Sequence, residues 1–128
     1  MELKLTKDTT INDLKYQFSS RFPFLKLEFF KHKHRVGQSS LKDQKLNDRV
    51  LLKEVNPGLK EGVINLSPST TVADLEQLFQ KQFGLPVQVF RKANYQWVET
   101  TYTDILTLEK QNEMGAELSK VLHKTASI

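Results

Sequence analysis

Two imidazoles alternate with cations in Lys31-His32-Lys33-His34-Arg35. On a strand, His32 and His34 would project from one side, a spacing that can hold zinc or nickel. Such a site needs a third ligand, and the chain's one other histidine, His123, lies far along the sequence. The interleaved Lys31 and Lys33 repel a dication, so no metal is expected. Ser39-Ser40-Leu41-Lys42 has the Ser-x-x-Lys spacing of serine acyl transfer. Neither a Ser-Asp-Asn nor a Lys-Thr-Gly companion occurs, and serine and lysine are common enough here for one chance match. The absence of cysteine excludes thiol catalysis, disulfides and thiolate metal sites. No glycine-rich phosphate loop and no Gly-x-Ser-x-Gly is present. The chain therefore offers no catalytic residue and no cofactor motif, and a non-enzymatic role is expected.

Two groups of residues could instead bind. The first is the run Lys31, His32, Lys33, His34 and Arg35, with Lys26, Lys42 and Lys45 nearby. Residues 1–61 carry a net charge of +5 and residues 62–128 carry −1, for +4 in all. A basic patch raises the local concentration of anionic partners, although a short run is also an ordinary solvated loop. The second group is Arg91, Lys92, Tyr95 and Trp97, with Tyr102 beyond it. Trp, Tyr and Arg dominate binding hot spots. The sequence leaves open whether Trp97 belongs to the core or to the surface.

The elements that position these residues come in two similar sets. Sliding the sequence against itself by 61 aligns Leu5 with Leu66, Thr10 with Thr71, Asp13 with Asp74, Phe18 with Phe79 and Phe22 with Phe83. The match spans pseudo-repeats at about 1–33 and 62–93 and points to an internal duplication, with convergent patterning for one local structure as the alternative. Each copy reads strand, helix, strand. Thr10-Ile-Asn-Asp13 and Thr71-Val-Ala-Asp74 fit the helix start in which a threonine hydroxyl and an acid satisfy the first backbone N–H groups. Those acids also leave little room for a phosphate at the same helix ends. Apolar residues then recur at helical spacing until Pro23 and Gly84. The second strands alternate Leu25, Leu27, Phe29 in one copy and Val87, Val89 in the other. The offset of 61 puts Leu25 on Pro86, so one extra residue is expected before the later strand. Beyond the copies, Leu46–Val55 predicts a short helix capped by Asn47 or Asp48. Tyr95–Thr100 predicts a further strand, and Thr107 caps a final helix from Leu108. Gly115 costs that helix about 1 kcal/mol relative to alanine.

A single α+β domain of 128 residues follows. The expected architecture is a ferredoxin-like βαββαβ sandwich with an extra C-terminal strand and helix. The alternative is a ubiquitin-like β-grasp. In the ferredoxin-like arrangement the second and fourth strands lie at the edges of one sheet. Phe24, Phe30 and Phe90 run out of phase with the alternating core residues, so those strands carry aromatics on both faces. Either residues 46–56 and 108–122 cover the second face, or a partner does. RNA-binding domains of this fold stack bases on aromatics of the first and third strands. Glu2–Thr6 and Val63–Ser67 carry none, which argues against nucleic acid.

Trp97-Val-Glu-Thr-Thr101 with Thr107-Leu-Glu-Lys-Gln-Asn-Glu-Met-Gly115, together with Thr10-Ile-Asn-Asp-Leu14 and Phe22-Pro-Phe-Leu25, resembles a family of small uncharacterised bacterial α+β proteins. The resemblance implies a bacterial, cytoplasmic protein and carries no activity, cofactor or site residue. A start without a long apolar stretch, and no apolar run long enough to cross a membrane, agree with that location. The sequence thus reads as a protein-interaction module, with self-association through an edge strand such as Leu25–Lys33 as one form. The alternative is a binder of an anionic ligand or nucleic acid through residues 31–35.

Overall fold

A computed structural model describes residues 1–31 and 44–126, with side chains as far as Ser119. The order is β1 (Glu2–Leu5), α1 (Ile11–Arg21), β2 (Leu25–Phe29), α2 (Leu52–Val55), β3 (Gly62–Asn65), α3 (Val72–Phe83), β4 (Val87–Ala93), β5 (Gln96–Glu99) and α4 (Leu108–Ala126). A 3-10 turn, Thr101–Thr103, precedes α4. The class is α+β, with four helices and two small antiparallel sheets among the described residues.

The helices begin where the threonines place them. Thr10 Oγ1 accepts from Asp13 N at 3.1 Å, and the Asp13 carboxylate accepts from Thr10 N at 3.1 Å, a reciprocal cap. Thr71 Oγ1 accepts from Asp74 N at 3.1 Å in the same way. Thr107 Oγ1 accepts from Lys110 N at 3.1 Å and starts α4. Gly84 ends α3 at φ 63°, a left-handed conformation that glycine adopts without strain. The two apolar stripes, Ile11, Leu14, Phe18, Phe22 and Val72, Leu75, Phe79, Phe83, are all buried in one core. Each such side chain contributes about 1.5–3 kcal/mol on burial.

Hydrogen bonding divides the strands into pairs. β1 runs antiparallel to β3 with Leu3 opposite Ile64, and β2 runs antiparallel to β4 with Leu27 opposite Val89. β5 continues the second sheet from β4. A ferredoxin-like sheet sets the second strand beside the third; here β2 lies beside β4, and the two ladders belong to separate sheets. Leu3 and Ile64 are 61 residues apart, and Leu27 and Val89 are 62 apart. Other contacts also recur in matched sets. Ile11 N donates to Val50 O at 3.0 Å and Val72 N to Leu106 O at 3.1 Å. Leu52 N donates to Thr9 O at 2.9 Å and Leu108 N to Thr70 O at 2.8 Å. Phe30 N donates to Pro86 O and Lys92 N to Phe24 O, both at 2.9 Å. The chain before α2 therefore meets α1 as the chain before α4 meets α3.

Three local expectations need correction. The helix expected over Leu46–Val55 is reduced to Leu52–Val55. Asn47 Oδ1 accepts from Arg49 N at 2.9 Å, and this side-chain turn holds residues 47–50 out of the helix. β2 is an edge strand of its sheet, but its end is not free. Lys31 N donates to Gln44 O at 2.9 Å and Leu46 N to Phe29 O at 2.7 Å, so residues 44–46 lie along the outer side of Phe29–Lys31. β4 lies in the middle of its sheet, between the edge strands β2 and β5.

The out-of-phase aromatics have different fates. Phe30 is buried. Phe24 is half-buried where α4 crosses the end of the sheet, and Phe24 N donates to Asn112 Oδ1 at 2.8 Å. Phe90 is half-buried on the face away from the core. Among the described residues no helix is long and apolar enough to cross a membrane.

Candidate functional site on the outer sheet face

Strand alternation builds the site. Leu25, Leu27, Phe29, Val87 and Val89 point into the core, so Lys26, Glu28, Gln88, Phe90 and Lys92 share the opposite face. Register places Lys26 opposite Phe90, Glu28 opposite Gln88, and Lys92 opposite Trp97. Trp97 and Glu99 extend the face onto β5. A cleft of about 360 Å³ opens there, lined by Lys26, Glu28, Phe30, Lys45, Phe90, Trp97 and Glu99.

Trp97 is half-buried, which answers the question left by the sequence: it is a wall of this cleft. Two ammonium groups contact its ring, Lys26 Nζ at 5.0 Å and Lys92 Nζ at 5.1 Å from the centroid. Lys26 Nζ also lies 5.5 Å from the Phe90 centroid. Cation–aromatic contacts of this kind contribute about 0.5–1 kcal/mol each at exposed sites and more where water is excluded.

Glu28 lies at the floor of the cleft with 2% of its side chain exposed. Its two carboxylate oxygens face the ammonium groups of Lys15 and Lys45, the latter at 2.8 Å. Lys15 Nζ also donates to Asp48 Oδ1 at 2.8 Å. Burial by itself lowers the Lys15 pKa, but hydrogen bonds to Asp48 and Glu28 outweigh it and hold the ammonium above its ordinary range. Lys26 has no such partner among the described residues. Burial lowers its pKa, and repulsion from Lys45 and Lys15 adds to that against the attraction of Glu28.

The residues expected to bind do not gather in one place. Lys92 and Trp97 do meet, on this face. Lys31 is exposed beside Phe30, where the chain leaves the sheet. His32, Lys33, His34 and Arg35 lie outside the described residues. Tyr95 is 77% exposed at the tip of the β4–β5 hairpin, next to Asn94 at φ 58°. Arg91 points to the other face. Its Nη1 donates to Gln111 Oε1 at 2.9 Å and approaches Met114 Sδ at 3.7 Å, tying α4 to the sheet. It therefore does not share the face of Lys92 and Trp97. Lys26, Lys45, Phe90, Glu28 and Glu99 join the site. The signal for Lys26 and Phe90 was available in their phase, opposite to the apolar alternation on their strands.

Comparison of the chain with protein-family models, curated proteins and solved structures finds no match.

Proposed function

We propose that the chain is a non-enzymatic interaction module that takes an extended segment of a partner protein, or of a second copy, along β5 and over the adjoining cleft. The observation that carries this reading is Trp97: a half-buried indole at an open sheet edge, contacted by two lysines. Thr100 N donates to Val89 O at 3.3 Å. In an antiparallel ladder bonded and non-bonded pairs alternate, so the backbone groups of Trp97 and Glu99 turn away from β4. The residue that presents the indole thus also presents N–H and C=O to an added strand. Catalysis has less support, since Glu28 in the cleft is held by two ammonium groups.

In fold terms the matched hydrogen bonds support two copies of one strand–helix–strand unit, ferredoxin-like in element order, arising by duplication. The cytoplasmic location and the likeness to small bacterial proteins belong to the same reading.

Single-stranded nucleic acid is the second reading, favoured by one specific observation. Phe90 sits on the middle strand of its sheet, where stacking platforms place their aromatics, and not at the edge.

Trp97 is the chain's one tryptophan, so its emission reports the site directly. Sedimentation equilibrium over a wide concentration range, with parallel emission spectra, tests self-association. A library of extended peptides tests other partners. Glu99→Pro removes an outward N–H without breaking the β4 ladder and should abolish either form of binding. An indole that responds to neither self-association nor any peptide overturns the reading.

A further inference from the structure

We infer that the cleft beside Trp97 is a carboxylate-binding subsite with Lys26 as its cation, so that the segment taken along β5 is acidic. This inference rests on the interaction-module reading and gives it a partner chemistry.

The ionic groups of the cleft are unevenly matched. Glu28 is already shared between Lys15 and Lys45. Lys26 has no carboxylate within ion-pair distance among the described residues, and its ammonium faces two aromatic rings. Rings replace lost hydration only in part, and the lowered affinity of Lys26 for its proton reflects the remainder. A carboxylate entering the cleft would supply the missing partner. Charge-assisted hydrogen bonds are about twice as strong as neutral ones, and Coulomb attraction rises where water is displaced.

Position narrows the ligand further. Lys92 stands on the opposite strand from Trp97, and Glu99 lies two residues further along β5 on the same face. An acid beside Trp97 is drawn to both Lys26 and Lys92, whereas an acid beside Glu99 is repelled. The subsite therefore favours one acidic side chain at the Trp97 position of an added strand. A phosphodiester would also satisfy the ammonium, but it brings no strand to bond the outward backbone groups of Trp97 and Glu99.

The test uses the full chain and three probes: a capped threonine- and valine-rich peptide with a single central glutamate, its glutamine counterpart, and a short oligothymidylate. Binding is followed by Trp97 emission and, independently, by calorimetry. The glutamate peptide should bind saturably and about tenfold more tightly than the glutamine peptide. Lys26→Met should remove that preference while leaving the urea midpoint and far-UV dichroism near wild type. The surface variant Lys4→Met should keep it. Equal binding of the two peptides overturns the carboxylate subsite and leaves the interaction module standing. Preference for oligothymidylate overturns the subsite and moves the module to nucleic acid. Binding of no probe overturns the acidic-segment inference, and the peptide library then decides the module separately.

Discussion

Replacing Gly115 by alanine should destabilise the protein, although helix propensity alone points the other way. Alanine is favoured over glycine in a helix interior by about 1 kcal/mol. At this position a Cβ would lie 2.8 Å from the Phe24 Cβ, 3.2 Å from the Phe24 carbonyl oxygen and 3.4 Å from the Arg91 Cγ. The first two are a backbone-anchored carbon and a backbone atom, so no rotamer change relieves them. Helix α4 must shift away from the sheet, and that shift strains the bonds from Phe24 N to Asn112 and from Arg91 to Gln111. Overpacking of this kind costs about 1–3 kcal/mol, and two strained hydrogen bonds add about 1 kcal/mol. Against the propensity gain, the net expectation is a loss of about 1–2 kcal/mol. Urea unfolding followed by far-UV dichroism and Trp97 emission would measure it. Comparison of Glu113→Ala with Glu113→Gly, at an exposed position on the same helix, would calibrate propensity in this context. If Gly115→Ala gains stability by as much as Glu113→Gly loses relative to Glu113→Ala, the close approach of α4 to Phe24 is refuted.

Further outcomes follow from the same geometry. Lys15→Met should cost about 3 kcal/mol in chemical denaturation, because it leaves the buried Glu28 with the half-exposed Lys45 alone; a loss below about 1 kcal/mol would show that Glu28 is not held in this way. Thr10→Ala should cost about 1 kcal/mol, since it removes one half of a reciprocal cap, and thermal unfolding would detect it. The pH dependence near the ordinary lysine value of 10.5 should have two limbs. Lys26, lowered in the folded state, loses its proton before the unfolded chain does, so stability rises with pH from its lowered pKa up to 10.5. Lys15, raised in the folded state, contributes stability that is complete below 10.5 and is lost as pH rises through its raised pKa. Stability curves of Lys26→Met and Lys15→Met should lack the first and second limb respectively.

What could be read from the sequence was local. The Thr-x-x-Asp starts specify their helices within four residues, and the structure shows the same oxygens accepting the same N–H groups. The α+β class follows from periodicities that short windows carry. Strand partners were not legible, because each inter-half ladder joins residues about 61 apart and no local signal states which strand lies beside which. That gap carried through to the site. With β2 and β4 assigned to edges, Phe90 looked peripheral, whereas pairing places it mid-sheet. Arg91 illustrates parity: one step along β4 separates it from Phe90 and Lys92, and that step sends it under α4. Gly115 was legible as a weakness of its helix; that the weakness permits close packing needed the neighbouring chain. Asn47 and Asp48 are the two caps the sequence offers for that helix, but the Asn47 side chain closes a turn instead, and the helix starts later.

The pairing of β1 with β3 and of β2 with β4 also bears on synthesis at the ribosome. When the first 61 residues have emerged, β1 and β2 both lack their ladder partners, which lie entirely in the second half. Helix α1 can already pack on β1 and β2, but the core it shares with Ile64, Leu75, Phe79 and Val89 stays open until the second half arrives. At about 5–20 residues per second, that interval lasts several seconds. During it the nascent chain offers the hydrophobic surface that chaperones hold and that neighbouring nascent copies can join. Closure then depends on joining distant segments, which places this small domain among slower folders for its length.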